Sequence, residues 1–172
     1  MTQHKYATLF GGALDITDTP EYLDTICIGH ILAEKGYVVK NGGYGGMMEA
    51  VSKGASEGGT KVIGYTCATF PSTQGNKYLS VNLIRDDIYE RLSSLITGSE
   101  LFIVQRGGLG TLAELFLTLD IIRKNRHTQP KVVLIGDFWL DIMKSIEPII
   151  HKNERKLYTI VSNSEGLKAL LK

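Results

Sequence analysis

The segment Gly107-Gly108-Leu109-Gly110-Thr111 can do chemistry. It separates an apolar run, Leu101 to Val104, from an amphipathic one. Glycines let a ligand approach backbone amides closely. A helix start adds unpaired N–H groups and a partial positive charge. Together these form an anion site suited to a phosphate, and Thr111 adds a hydroxyl donor. The same residues also read as a tight βα turn, because Thr111-Leu112-Ala113-Glu114 has the capping-box pattern. On pattern alone both readings stay open.

Two further glycine clusters follow apolar runs, Gly11-Gly12 and Asn41-Gly42-Gly43-Tyr44-Gly45-Gly46. Of nineteen glycines, nine (11, 12, 42, 43, 45, 46, 107, 108 and 110) fall in these three places. None is a Walker A loop, since no Gly-Lys-Ser/Thr follows. Gly43-x-Gly45 begins a dinucleotide fingerprint, but Met48 stands where its third glycine belongs. The histidines 4, 30, 127 and 151 lack metal-ligand spacing, so no metal site is expected. Cys27 reads as a core residue on an apolar helix face. The basic run Arg123-Lys124-Asn125-Arg126 reads as a solvated helix end. Arg91 stands four residues after Asp87, so a helix-surface ion pair is its plain reading.

Alternating elements must position these loops. Strands are expected at Ala7–Phe10, Tyr37–Lys40, Lys61–Tyr65, Tyr78–Ile84, Leu101–Val104, Lys131–Ile135 and Tyr158–Val161. Helices are expected from Thr19-Pro20 to Lys35, with Leu23, Ile26, Cys27, Ile31 and Leu32 inward, and at Met47–Glu57. Others are expected at Arg85–Thr97, Thr111–Lys124, Phe138–Ile150 and Ser164–Leu171. Thr66 to Lys77 reads as a surface loop. Strict alternation implies right-handed parallel crossovers. The fold class is α/β: a Rossmann-like, three-layer α/β/α domain over residues 1–172, with a mostly parallel sheet of six or seven strands. Such a sheet binds ligands at its topological switch point. There the first and fifth strands would set Gly11-Gly12 beside Arg106–Thr111.

Composition narrows the function. Nineteen Lys+Arg against eighteen Asp+Glu leave a formal charge of +1, with no electrostatic footprint for nucleic acid or an anionic membrane. No apolar run reaches the roughly 18 residues of a spanning helix. The first residues, Met1 to Tyr6, lack a signal-peptide pattern, so a cytoplasmic location is the expectation.

The residues from Leu9 to about Ile150 resemble the LONELY GUY (LOG) family, cytokinin-activating phosphoribohydrolases often described as lysine decarboxylases. That family carries Pro-Gly-Gly-x-Gly-Thr-x-x-Glu, where this chain has Arg106-Gly107-Gly108-Leu109-Gly110-Thr111-Leu112-Ala113-Glu114. Its Met-His-x-Arg-Lys signature aligns with Ile88-Tyr89-Glu90-Arg91-Leu92. Its third glycine-rich region resembles Asn41 to Glu49.

The resemblance implies hydrolysis of the N-glycosidic bond of a nucleoside 5′-monophosphate, AMP or an N6-modified AMP, without a cofactor. It makes Glu114 the carboxylate that stabilises an oxocarbenium-like sugar, with Arg91 holding the phosphate or base or fixing Glu114. Gly107 to Thr111, Gly11, Gly12, Gly43, Ile88 and Arg106 become substrate-binding candidates. It also implies a homodimer or higher homo-oligomer through helices 85–97 and 111–124. The alternative is a non-catalytic nucleotide or molybdenum-cofactor carrier on the same fold. The chain departs from the family at Arg106, Tyr89, Leu92 and Ala113, and residues 66–84 hold no acidic residue, which leaves the base open.

Overall fold

The computed structural model describes residues 4–14, 17–125 and 129–172; Arg126, His127 and residues 1–3 of the N-terminal reading lie outside them. Seven strands form one sheet: β1 (Lys5–Phe10), β2 (Tyr37–Asn41), β3 (Val62–Cys67), β4 (Val81–Arg85), β5 (Leu101–Val104), β6 (Lys131–Ile135) and β7 (Thr159–Val161). Their order is β4-β3-β2-β1-β5-β6-β7, and every pairing is parallel. β1 and β5 lie side by side, with Ala7 opposite Leu101 and Phe10 opposite Val104. The expected switch point is therefore present.

The sheet is buried on both faces, as parallel sheets are. On one side lie α1 (Pro20–Glu34), α2 (Met47–Glu57) and α6 (Ser164–Leu170). They pack Ile28, Leu32, Met47, Val51 and Leu167 against Ala7, Leu9 and Val39. On the other lie α3 (Ile88–Ile96), α4 (Leu109–Lys124) and α5 (Phe138–Ile146). They pack Leu95, Leu115, Leu119 and Trp139 against Phe10, Phe102 and Leu134.

Several expectations change; β3 runs on to Cys67, where a surface loop was expected from Thr66, and β4 begins at Val81, not Tyr78. The inward line of α1 is Tyr22, Thr25, Ile28-Gly29 and, as expected, Ile31 and Leu32, while Leu23 is 52% exposed and Cys27 is exposed rather than core. The reason is Gly29, where a Cβ would overlap Val51 O and Ala55 N of α2. The line carrying Gly29 lets the two helices meet backbone to backbone and turns Cys27 outward. α3 begins at Ile88, not Arg85, because the Asp87 carboxylate caps the Tyr89 and Glu90 amides. α5 stops at Ile146, not Ile150, since Pro148 has no N–H with which to continue the helical ladder. α4 begins at Leu109, two residues before the expected Thr111, with Gly108 as its N-cap. The capping-box reading of Thr111 and Glu114 therefore fails. Thr111 is the third helical residue, and Glu114 lies in the second turn.

Close helix contact gives a test of opposite sign to helix propensity. Gly54→Ala in an ordinary helix interior gains stability, about 1 kcal/mol. Here a Cβ on Gly54 would overlap Ile26 O. Gly54→Ala should instead cost about 1–3 kcal/mol and lower the melting temperature, as thermal denaturation followed by circular dichroism will show.

Candidate active site

The three glycine loops are stitched together at the C-terminal ends of β1, β2 and β5. Gly12 N donates to Arg106 O at 2.9 Å, and Met47 N, opening α2, donates to Gly12 O at 2.9 Å. The Gly11-Gly12 turn thus bridges the Arg106–Thr111 loop and the start of α2. Gly107 is required by this packing, because a Cβ there would overlap the Thr111 side chain and Gly12 N. Gly108 and Gly110 face open space, so the protein's own packing does not demand glycine at either. No acceptor among the described residues takes the amides of Gly107 through Thr111. Leu109 is 86% exposed at the rim. Arg106 stacks over Phe138 at 4.7 Å and lies 3.9 Å from the Glu21 carboxylate.

One and a half turns behind those amides, Glu114 points into the interior and meets Arg91. Arg91 Nη1 donates to Glu114 Oε1 at 3.4 Å. Residue exposure is 6% for Arg91 and 9% for Glu114, so this is a buried pair and not the surface pair with Asp87. The guanidinium has two further acceptors, Tyr65 O at 2.7 Å from Nε and Gly42 O at 3.4 Å from Nη2. Gly42 must lack a Cβ, which would collide with Nη2. Two backbone carbonyls therefore fix the cation against its carboxylate. Burial pushes the Glu114 carboxyl up to about 7, against the opposing pull of the Arg91 charge and hydrogen bond.

The supporting elements hold α3 at both ends. Asp87 caps its start, and the Lys40 ammonium, buried on β2, donates to Thr97 O at 2.9 Å beyond its end. On β2, Asn41 Oδ1 accepts from Gly43 N at 2.8 Å and shapes the loop that presents Gly42 O. Ile88 is half-buried at the first position of α3, a turn before Arg91. The structure brings Gly12 and Gly107 into direct contact, with Gly11 packed against Met47 and Gln105. It brings Arg91 and Glu114 together behind them. Gly43 sits one residue beyond the carbonyl that holds Arg91.

Sequence reasoning missed Gly42, the Tyr65 carbonyl and Lys40. Only Gly42 left a signal, as a glycine directly after a strand. A backbone carbonyl has no residue type to betray it.

Residues 48–171 match the family described as "Possible lysine decarboxylase". The chain belongs to this family, the LOG family. This LOG-family chain is 28% identical over 137 residues to a probable cytokinin riboside 5′-monophosphate phosphoribohydrolase, LOG4, of Oryza sativa subsp. japonica. That match covers 76% of this chain and 60% of the rice protein. An uncharacterized protein of Archaeoglobus fulgidus is 31% identical over 121 residues, 69% of this chain and 78% of that one. Among solved structures, the molybdenum cofactor binding protein of Rippkaea orientalis superposes with a TM-score of 0.78 at 22% identity. The superposition covers 99% of this chain and 97% of that one, and at this identity the likeness is one of fold. No helix among the described residues is long and apolar enough to cross a membrane.

The buried pair sets a pH-dependent stability. A carboxyl raised above its unfolded value destabilises the fold as pH climbs from the unfolded value to the folded one. In the wild-type chain that loss is complete a little above pH 7, where Arg91 compensates the ionised Glu114. In Arg91→Met the compensation is gone and the loss continues to higher pH. The stability gap between the two proteins should widen from pH 6 to pH 9, reaching about 3–5 kcal/mol. Urea denaturation at both pH values measures it, and a constant gap would contradict the ionic pairing.

Proposed function

We propose that this chain, as one Rossmann-like nucleotide-binding domain, hydrolyses the N-glycosidic bond of a nucleoside 5′-monophosphate. AMP or an N6-modified AMP is the expected substrate, with free base and ribose 5-phosphate as products. The observation that carries this reading is the buried Arg91–Glu114 pair, set behind a row of amides that lack protein acceptors. Glu114 is five residues after Leu109, roughly 7.5 Å along the helix axis, a spacing suited to a bound ribose 5-phosphate. Family membership and the rice relative support the same chemistry.

In this reading the phosphate accepts from the amides of Gly107 to Thr111, and Thr111 and Arg106 add donors. Positioning of this kind supplies a large part of the rate. The C1′–N bond breaks and its electron pair leaves with the base, giving an oxocarbenium-like sugar. The ionised Glu114 stabilises that positive charge and orients the water whose oxygen bonds to C1′. One proton of the water passes through Glu114 or solvent, and the departing base nitrogen is protonated. Arg91 has its guanidinium committed to Glu114 and two carbonyls, so its role is to hold the carboxylate in place rather than to bind the phosphate.

The ionised form of Glu114 is the working form. Activity should therefore rise about tenfold per pH unit below about 7 and level off above it. Glu114→Gln should lower kcat by about 10²- to 10⁴-fold with the fold intact. Release of free adenine from AMP and N6-modified AMP, followed chromatographically across pH 5 to 9, checks both. Tight AMP binding without any turnover would favour the carrier alternative instead.

A second copy of the chain completes the proposal. A cavity of about 970 Å³ lies away from the glycine crevice, between α3 and α4, lined by Tyr89, Leu92, Ile96, Leu117 and Ile121. Tyr89, Leu117 and Ile121 expose apolar surface around it. Contiguous apolar surface of this kind marks association sites. Light scattering on the eluting protein should give a dimer or larger, and a monomer at high micromolar concentration would contradict it.

A further inference from the structure

Beside the Arg91–Glu114 pair stands an aromatic surface that the reaction as described does not use. The rings of Tyr44 and Phe70 stack, with centroids 6.0 Å apart and planes at 29°. The Arg91 guanidinium carbon lies 5.7 Å from the Tyr44 centroid and 5.5 Å from that of Phe70. The guanidinium lies to one side of the stacked pair, about equally far from both rings, and both rings remain half-buried. Tyr44 is fixed at its far end, where its hydroxyl accepts from Cys67 N at 3.0 Å and donates to Ser72 O at 3.1 Å.

Closing the connection between β3 and β4 does not require these rings. Asn76 already ties that connection to the glycine loop, its amide N donating to Gly43 O at 2.7 Å and its Nδ2 to Tyr44 O at 3.0 Å. A stacked pair of held rings beside a reacting centre is a surface for another flat group. The cation on one side of the pair adds to its attraction for a π-system. Residues 66–84 contribute no carboxylate to read a base edge.

We propose that Tyr44 and Phe70 form a stacking shelf that receives the departing base and sets which bases are accepted. This deepens the phosphoribohydrolase reading and rests on it. With the phosphate on the Gly107–Thr111 amides and C1′ at Glu114, the base leaves toward Arg91 and meets the two rings. Stacking reads the face of a base and is tolerant of its edge. Adenine and guanine are therefore accepted alike, and a one-ring pyrimidine is held less well. Tyr44 and Phe70 are specificity-determining residues, and the strap through the Tyr44 hydroxyl pre-sets the ring.

Calorimetry with AMP, GMP, CMP and ribose 5-phosphate tests the shelf, using full-length Glu114→Gln protein so that nucleotides stay intact. AMP and GMP should bind within about threefold of each other and about tenfold more tightly than ribose 5-phosphate, with CMP between. Tyr44→Leu and Phe70→Leu in the same background should each remove most of that advantage while leaving ribose 5-phosphate affinity unchanged. Tyr44→Phe, which keeps the ring and loses only the strap, should keep the larger part of it. Thermal melting shows which variants fold, and Phe70→Leu carries the test if Tyr44→Leu does not. An equal loss for AMP and ribose 5-phosphate would overturn the shelf, as would an AMP affinity no better than that of ribose 5-phosphate. Base release by the chain with Glu114 present is scored separately. Its absence alongside the expected affinities would overturn the hydrolase reading and leave the shelf standing.

Discussion

The arrangement depends on burying one carboxylate next to one guanidinium. An ionised carboxylate cannot be carried into an apolar interior without compensation. The compensation here comes from Arg91, and Arg91 in turn needs acceptors for the donors that Glu114 does not use. Those are the carbonyls of Gly42 and Tyr65, at the ends of β2 and β3. The pair thus ties α3, α4 and two strands of the sheet into one constellation. Loss of either partner leaves the other buried and uncompensated.

The parallel sheet makes this constellation possible. Because β1 and β5 are neighbours at the switch point, the loops that follow them meet, and Gly12 donates directly to Arg106 O. That contact holds the amides of the Gly107–Thr111 turn in an open row. α4 begins there and carries Glu114 inward one and a half turns later. The open amides and the buried carboxylate therefore lie in the first two turns of one helix, spaced by helical geometry rather than by flexible loops. A chain with a net charge of +1 needs no broad positive field to bind a phosphate in this way, since the donors are local.

Much of this was legible in the sequence because parallel strands and glycine turns leave strong patterns. The alternation of apolar runs and helical periods gave the layer order and the switch point, and the glycine clusters marked the loops. What was misread had a common cause. Helical spacing on α1 permits two neighbouring faces, and only the backbone contact at Gly29 decides between them. Thr111-x-x-Glu114 matches a capping box, but glycines at 107 and 108 let the helix start earlier and carry Glu114 past the capping position. Asp87 near Arg91 suggested a surface pair, yet Asp87 is spent on backbone amides. Tyr44 and Phe70 were silent because their meaning lies in a contact across 26 residues of chain, which periodicity does not register.

The central claim is that one bound nucleotide spans from the amides of α4 to the carboxylate of Glu114. A crystal of the Glu114→Gln protein soaked with AMP tests it most directly. The account predicts the 5′-phosphate on the amides of Gly107 to Thr111 and C1′ facing residue 114, with Arg91 still bound to the Gly42 and Tyr65 carbonyls. A nucleotide bound elsewhere, or one lying in the crevice with its sugar turned away from residue 114, would contradict it.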